Sequence, residues 1–164
     1  MRVGLISDTH GLLRPEALDF LAGCDFIVHG GDIGNAAILE RLAQIAPLTT
    51  VRGNNDREAW ARAIPVSASL AIGPVVVHAI HDIKELDIDP AASGVRVVVS
   101  GHSHRPSCVE REGVLYINPG SAGRRRFSLP ISAAELIIEG GRVQPRIVTL
   151  IEGQGSIHVR PEMP

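Results

Sequence analysis

Five polar clusters punctuate this chain, and most of them directly follow a short, nearly all-apolar run. Residues 2–7 run into Asp8-Thr9-His10, and residues 26–28 lead to Gly31-Asp32. Residues 48–51 lead to Gly53-Asn54-Asn55-Asp56, residues 75–80 to His81-Asp82, and residues 95–100 to Gly101-His102-Ser103-His104. Runs without polar alternation belong to strands covered on both faces. The polar residues at their ends then collect along one edge, where open α/β sheets place their ligand sites. In extended chain, residues i and i+2 point the same way, so an Asp-x-His or His-x-His pair can aim both side chains at one point.

Between these runs the pattern changes period. Pro15 stands where a helix would begin, and Ala17, Leu18, Leu21 and Ala22 follow at helical spacing. Asn35 is placed to cap a second helix with Ile38, Leu39, Leu42 and Ile45 on its inner face. The first third therefore reads β-α-β-α-β with parallel strands. Gly73-Pro74 reads as a hairpin turn, and residues 83–94 as a short, partly helical connection. Further strands are expected at 107–111, 114–118, 133–139 and 143–151, and this later half reads as antiparallel. The fold class expected is α/β with α+β character, a two-layered mixed β-sheet core flanked by helices. A single domain is expected over residues 1–151, with a loose C-terminal tail at 152–164.

A chain of 164 residues can bury a substantial core. Aromatic residues make up only 3%, so Val, Ile, Leu and Ala must fill it. The net charge of −2 and the lack of a basic face interleaved with aromatics argue against a nucleic-acid binder. No apolar run approaches the ~20 residues of a membrane span. The two cysteines, Cys24 and Cys108, form neither a metal motif nor a disulfide framework, which fits reduced thiols and a cytoplasmic location. Arg124-Arg125-Arg126 is the one dense positive cluster, read with equal weight as a solvated loop or a phosphate contact.

Asp8, His10, Asp32, Asn54, His81, His102 and His104 together supply carboxylate, imidazole and amide oxygen donors. Those are the ligand types a pair of divalent cations requires, and the absence of thiolate suits Mn, Fe, Zn or Ni better than Mg. The set resembles the calcineurin-like metallophosphoesterase superfamily, in particular its small bacterial and archaeal phosphodiesterases. The resemblance runs from Met1 to about Phe127 and rests on Asp8-Thr9-His10, Gly31-Asp32, Gly53-Asn54, Gly101-His102-Ser103-His104 and Asn118-Pro119-Gly120-Ser121. It implies a four-layer sandwich. It also implies that Asp8, His10 and His104 hold one metal, that Asn54, His81 and His102 hold another, and that Asp32 bridges them. A hydroxide between two metals, with manganese the leading choice, would then attack phosphorus.

Two positions depart from the family pattern. Larger members carry a histidine after the Asn ligand, where it contacts phosphate and protonates the leaving group; here Asn55 stands there, a donor without a proton to give. Relatives also have His-Gly where this chain has His81-Asp82, and His78 competes with His81 as a ligand. His81 is preferred, because it sits at the strand's exit and would face the opposite side from His78. His29 is read as packed behind the site. Asp56 either orients a ligating histidine or caps a helix starting near Arg57. Ser121 lacks partners for a nucleophile's role.

The activity expected is hydrolysis of small phosphodiesters. The alternatives are a phosphomonoesterase or nucleotide pyrophosphatase at the same site, or a protein-interaction scaffold resembling the eukaryotic retromer's small subunit. The full ligand set speaks against the scaffold, and Asn55 against efficient monoester hydrolysis. The resemblance also allows a homo-oligomer, for which the sequence carries no interface signature.

Overall fold

The structure, a computed structural model, describes residues 1–153. In chain order the elements are β1 (Arg2–Ile6), α1 (Pro15–Leu21), β2 (Phe26–His29), α2 (Ala36–Ala43) and β3 (Leu48–Thr50). Then follow β4 (Ser67–Ile72), β5 (Val75–Ile80), β6 (Val97–Val99), β7 (Ser107–Arg111), β8 (Val114–Asn118), β9 (Ile131–Glu139) and β10 (Arg142–Ile151). Residues 152 and 153 follow β10, and the rest of the expected tail lies outside the described residues.

Two five-stranded sheets face each other. The first runs β10-β9-β1-β2-β3 and the second β4-β5-β6-β8-β7. In the first sheet β1, β2 and β3 are parallel, with the antiparallel pair β9 and β10 added at the β1 side. Their facing surfaces enclose the main core, in which Val3, Leu5 and Val28 of one sheet meet Val77, Val97, Val99 and Ile117 of the other. Burying each such side chain stabilises the fold by roughly 1.5–3 kcal/mol. The helices cover the outer face of the first sheet, and Leu21, Ile38 and Leu42 pack there with Ile6 and Ile27. α2 starts where its capping residue stands, since Asn35 Oδ1 accepts the Ala37 N–H at 2.8 Å.

The later half agrees with the sequence reading in part. β7 and β8, and β9 and β10, pair antiparallel as expected, but within the second sheet β5, β6 and β8 are parallel, with β4 and β7 antiparallel to them at the edges. The expectation failed because parallel crossovers usually announce themselves as helices. Here residues 81–96 cross over with one short 3-10 turn, Ile83–Glu85. Leu86 and Ile88 of that crossover do a helix's packing work, covering Val98 and Val114 on the outer face of the second sheet.

The consequence is positional. The carboxyl ends of all six parallel strands, three per sheet, open at the same edge of the sandwich, and every polar cluster of the sequence lies there.

Candidate metal centre

The loop after β1 carries Asp8 and His10, that after β2 carries Asp32, and that after β3 carries Asn54 and Asn55. β5 ends at His81, and the loop after β6 carries His102 and His104. Asp8, His10 and His104 have ligand atoms mutually within 4.8 Å, and so do Asp8, Asp32 and His81. Asp8 Oδ1 lies 3.3 Å from His104 Nε2 and 3.8 Å from His10 Nε2, and the two imidazole nitrogens stand 3.1 Å apart. His102 and Asn54 make a separate pair, Nδ1 to Oδ1 at 3.0 Å, with the His102 ring edge-on to His81 at 5.2 Å.

The backbone is strained where these side chains leave it. Asp8, His10, Asp32, His102 and His104 all have φ between 46° and 67°, a region that L-residues seldom occupy. Such conformations persist only where the surroundings over-determine them, and they cluster at functional sites. The loops also approach too closely for side chains at several positions, two of them against the acidic candidate ligands. A Cβ on Gly53 would collide with the Asp32 carboxylate, and one on Gly101 would meet Ser7 and, at 2.7 Å, Asp8 Oδ2.

Several groups hold the loops together. Asp56 accepts backbone N–H groups from Ile33, Gly34 and Gly53, fastening the Asp32 loop to the Asn54 loop. It touches no ligating histidine and caps no helix, so neither expected role is realised; the turn nearby is a 3-10 helix, Ala59–Ala63, preceded by Glu58. Asn118 donates to the Gly101 carbonyl at 2.7 Å, and the Ser121 hydroxyl donates to the Asp8 carbonyl at 2.9 Å. Ser121 is thereby a clasp. His29 is fully buried behind the site: its Nδ1 accepts the Gly31 N–H, so Nε2 carries the proton and donates to Thr9 Oγ1, which in turn donates to the Ile33 carbonyl. Burial lowers its pKa to about 4.

The residues fit divalent cations on one observation above all. His81 Nδ1 lies 2.7 Å from the Gly30 carbonyl, which can only accept, so Nδ1 holds a proton. In the neutral ring Nε2 then presents a lone pair to Asp32 Oδ2, 3.3 Å away. Two acceptors face one another inside the protein, and only a proton or a cation between them relieves that. Without a metal the proton is favoured: burial opposes it, but Asp32, Asp8 and the Gly30 carbonyl together outweigh burial and raise the His81 pKa. Burial likewise pushes Asp32 upward, yet His81 and the Asn55 donors hold it well below the ordinary carboxylate range. His10 is shifted down by burial, against the pull of Asp32 and Asp8. Asp8 Oδ1, His81 Nε2 and His104 Nδ1 are all buried without a hydrogen-bond partner. A carbonyl holding Nδ1–H while Nε2 faces the ligand is how a metal-binding imidazole is oriented.

His78 is elsewhere. Its ring lies on the outer face of the second sheet with Nδ1 2.9 Å from Ser69 Oγ, and Asp87 is the charge that acts on it. Asn55 donates both its backbone N–H and its side-chain amide to Asp32, at 2.9 and 2.7 Å. Within the arginine run, Arg124 donates to the His10 carbonyl and Arg125 to the Leu129 carbonyl, while the Arg126 side chain makes no hydrogen bond or ion pair among the described residues and its carbonyl accepts the Leu129 N–H. Sequence reasoning had no signal for the strained φ angles or for the clasping role of Asp56, both of which depend on contacts between loops.

Comparison with known proteins agrees with this geometry. The model of the calcineurin-like phosphoesterase superfamily domain matches residues 1–141. A probable metallophosphoesterase of Methanothermobacter thermautotrophicus is 34% identical over 160 residues, covering 90% of this chain and 92% of that one. The solved structure of an archaeal phosphodiesterase superposes with a TM-score of 0.73 at 23% identity, covering 90% of this chain and all of that one. Vps29 from Entamoeba histolytica, solved with bound zinc, gives 0.69 at 21% identity, covering 92% and 99%. The two structural matches establish the fold. Among the described residues no helix is long and apolar enough to cross a membrane.

Proposed function

The chain belongs to the calcineurin-like phosphoesterase superfamily, and from that premise we propose that it is a metal-dependent phosphodiesterase acting on small diesters. The observation that carries this reading is the His81–Asp32 face-to-face contact beside the Asp8, His10 and His104 cluster. In this proposal Asp8, His10 and His104 hold one divalent ion, Asn54, His81 and His102 a second, and Asp32 serves both. Manganese is the first choice, with Fe, Zn and Ni compatible with the same donors. Such ions, when bound, lower the pKa of water and offset charge on phosphoryl oxygens.

The chain's own contribution is placement. Asp56, Asn118 and Ser121 hold the loops in register, and the Gly30 carbonyl fixes the His81 tautomer. Asn55 keeps Asp32 ionised and oriented and offers the phosphate a neutral donor. In the reaction, water oxygen would form a bond to phosphorus and give up its proton to solvent, while the ester oxygen departs with the bonding pair and takes a proton from solvent, giving a monoester and an alcohol. Position 55 itself carries an amide and supplies no acid, so leaving groups that are stable as anions are favoured.

The test is hydrolysis of bis(4-nitrophenyl) phosphate and of 4-nitrophenyl phosphate by chelator-treated protein supplied with Mn, Ni, Fe or Zn. The expected result is metal-restored activity with the diester the faster substrate. A faster monoester would make the protein a phosphomonoesterase, and inactivity with every metal would favour a scaffold.

A further inference from the structure

A cavity of about 740 Å³ opens directly beside His102 on the outer face of the second sheet. Its floor is the half-buried Tyr116 of β8, and its walls are Ile83 and Leu86 on one side and Val109 on the other. Ile83 and Val109 are among the few large apolar side chains this protein exposes, at 39% and 45%. Lys84, the one lysine of the chain, and Arg111 stand at the same cavity, and neither side chain makes a hydrogen bond or ion pair among the described residues. His102, Gly101 and Asp82 form the boundary with the metal centre, so whatever fills the cavity is continuous with a group held there.

We propose that this cavity binds one alcohol moiety of the phosphodiester, and that the moiety is an aromatic ring bearing its own anionic group. The inference rests on the reading above and deepens it by naming the substrate class. The apolar walls and the Tyr116 ring give a flat group something to pack on; offset stacking between aromatic rings adds to the burial of their area. The size suits a drug-sized or nucleotide-sized group, since ligand pockets of ~300–1,000 Å³ bury most of such a ligand. The two uncommitted cations supply the charge complement, set against Asp82 and Glu112 at the rim. The small cavity of about 350 Å³ on the other side of His102 has a different lining, with Arg52, Asn54 and Glu85, and lacks an aromatic floor.

The test uses three diesters that share the 4-nitrophenyl leaving group and differ in the second alcohol: methyl, phenyl and 4-carboxyphenyl. With wild-type protein and manganese, KM should fall at least about tenfold from methyl to phenyl and again from phenyl to 4-carboxyphenyl, with kcat little changed. Tyr116→Ala and Val109→Asp should erase the first step, and Lys84→Ala the second, each leaving the methyl ester's kinetics intact. Equal KM values for the three esters, or variants that affect all three alike, would overturn the proposal. A second readout needs no turnover: 4-carboxyphenyl phosphate titrated into metal-free protein should shift the methyl resonances of Ile83, Leu86 and Val109, and unmoved resonances count against the cavity. Shifted resonances in a protein that hydrolyses none of the diesters would uphold the cavity and overturn the phosphodiesterase reading instead.

Discussion

On one side of Asp32, His10 and His104 stand 3.1 Å apart above a completely buried Asp8. On the other, the His102 side chain is 46% exposed and touches an exposed Asn54 and, at 3.7 Å, Asp82. The first half is tied down from several directions: the Gly31 carbonyl accepts the Asp8 N–H, the Ser121 hydroxyl donates to the Asp8 carbonyl, and Asp8 Oδ2 accepts the His102 N–H. The second half borders both cavities. Preorganisation cuts the cost of binding. If the proposed two ions are held as above, the buried half should bind its ion more tightly, while the open half trades affinity for access.

The largest effect expected is at the residue between the halves. Asp32→Asn removes the charge both halves share and should lower kcat by about 10³-fold with loss of bound metal, measured by steady-state kinetics and elemental analysis. If the halves are as unequal as their burial implies, His104→Ala should cost more metal affinity in a calorimetric titration than His102→Ala; the reverse order would break the comparison.

The next effect belongs to the buried half alone. His29 has a folded pKa of about 4 against an ordinary 6.5, so the unfolded chain takes up its proton first. Stability is therefore lost as pH falls from about 6.5 to about 4, by up to about 3 kcal/mol, and this contribution levels off below. Melting of the metal-free protein across that range should show the slope, and His29→Gln should flatten it. Parallel curves for the two proteins would remove His29 from the account.

Asp56→Asn sharpens the comparison from the loops between. It replaces a charged acceptor of three loop N–H groups with a weaker one. The expected loss is about 10-fold in metal affinity, through a shift of the two loops rather than of a ligand's own partner, with a lowered melting temperature. Full retention of both would mean that the loops are held by other contacts. The smallest effect expected is His78→Ala, which should cost ~1 kcal/mol of stability and leave metal stoichiometry unchanged, while His81→Ala loses metal.

Much of the first sheet is legible in the residues. The apolar runs, Pro15 and Asn35 mark elements whose signals are local, and α1 and α2 form close to where those signals stand. The second sheet was harder. Between β5 and β6 no helical period exists to announce a crossover, and a hairpin and a loop-linked parallel pair leave similar traces in a sequence. The candidate site divides the same way. His81 against His78 follows from strand alternation, a local rule. Asp56 sits three residues from any helix it could cap, and two of its three partners lie more than twenty residues away in the Asp32 loop.

By itself, then, the sequence determined which side chains would stand at strand ends and which chemistry they bring, because buried parallel strands release polar residues only where they stop. The sequence pattern pointed to one edge, and the tertiary structure decided that two separate sheets share it. It also decided that five candidate ligands take left-handed backbone conformations, that His81 turns its free nitrogen on Asp32, and that a cavity with an aromatic floor opens beside His102. Each of those depends on loops far apart in the chain meeting across the sandwich, and no local preference of a residue encodes that.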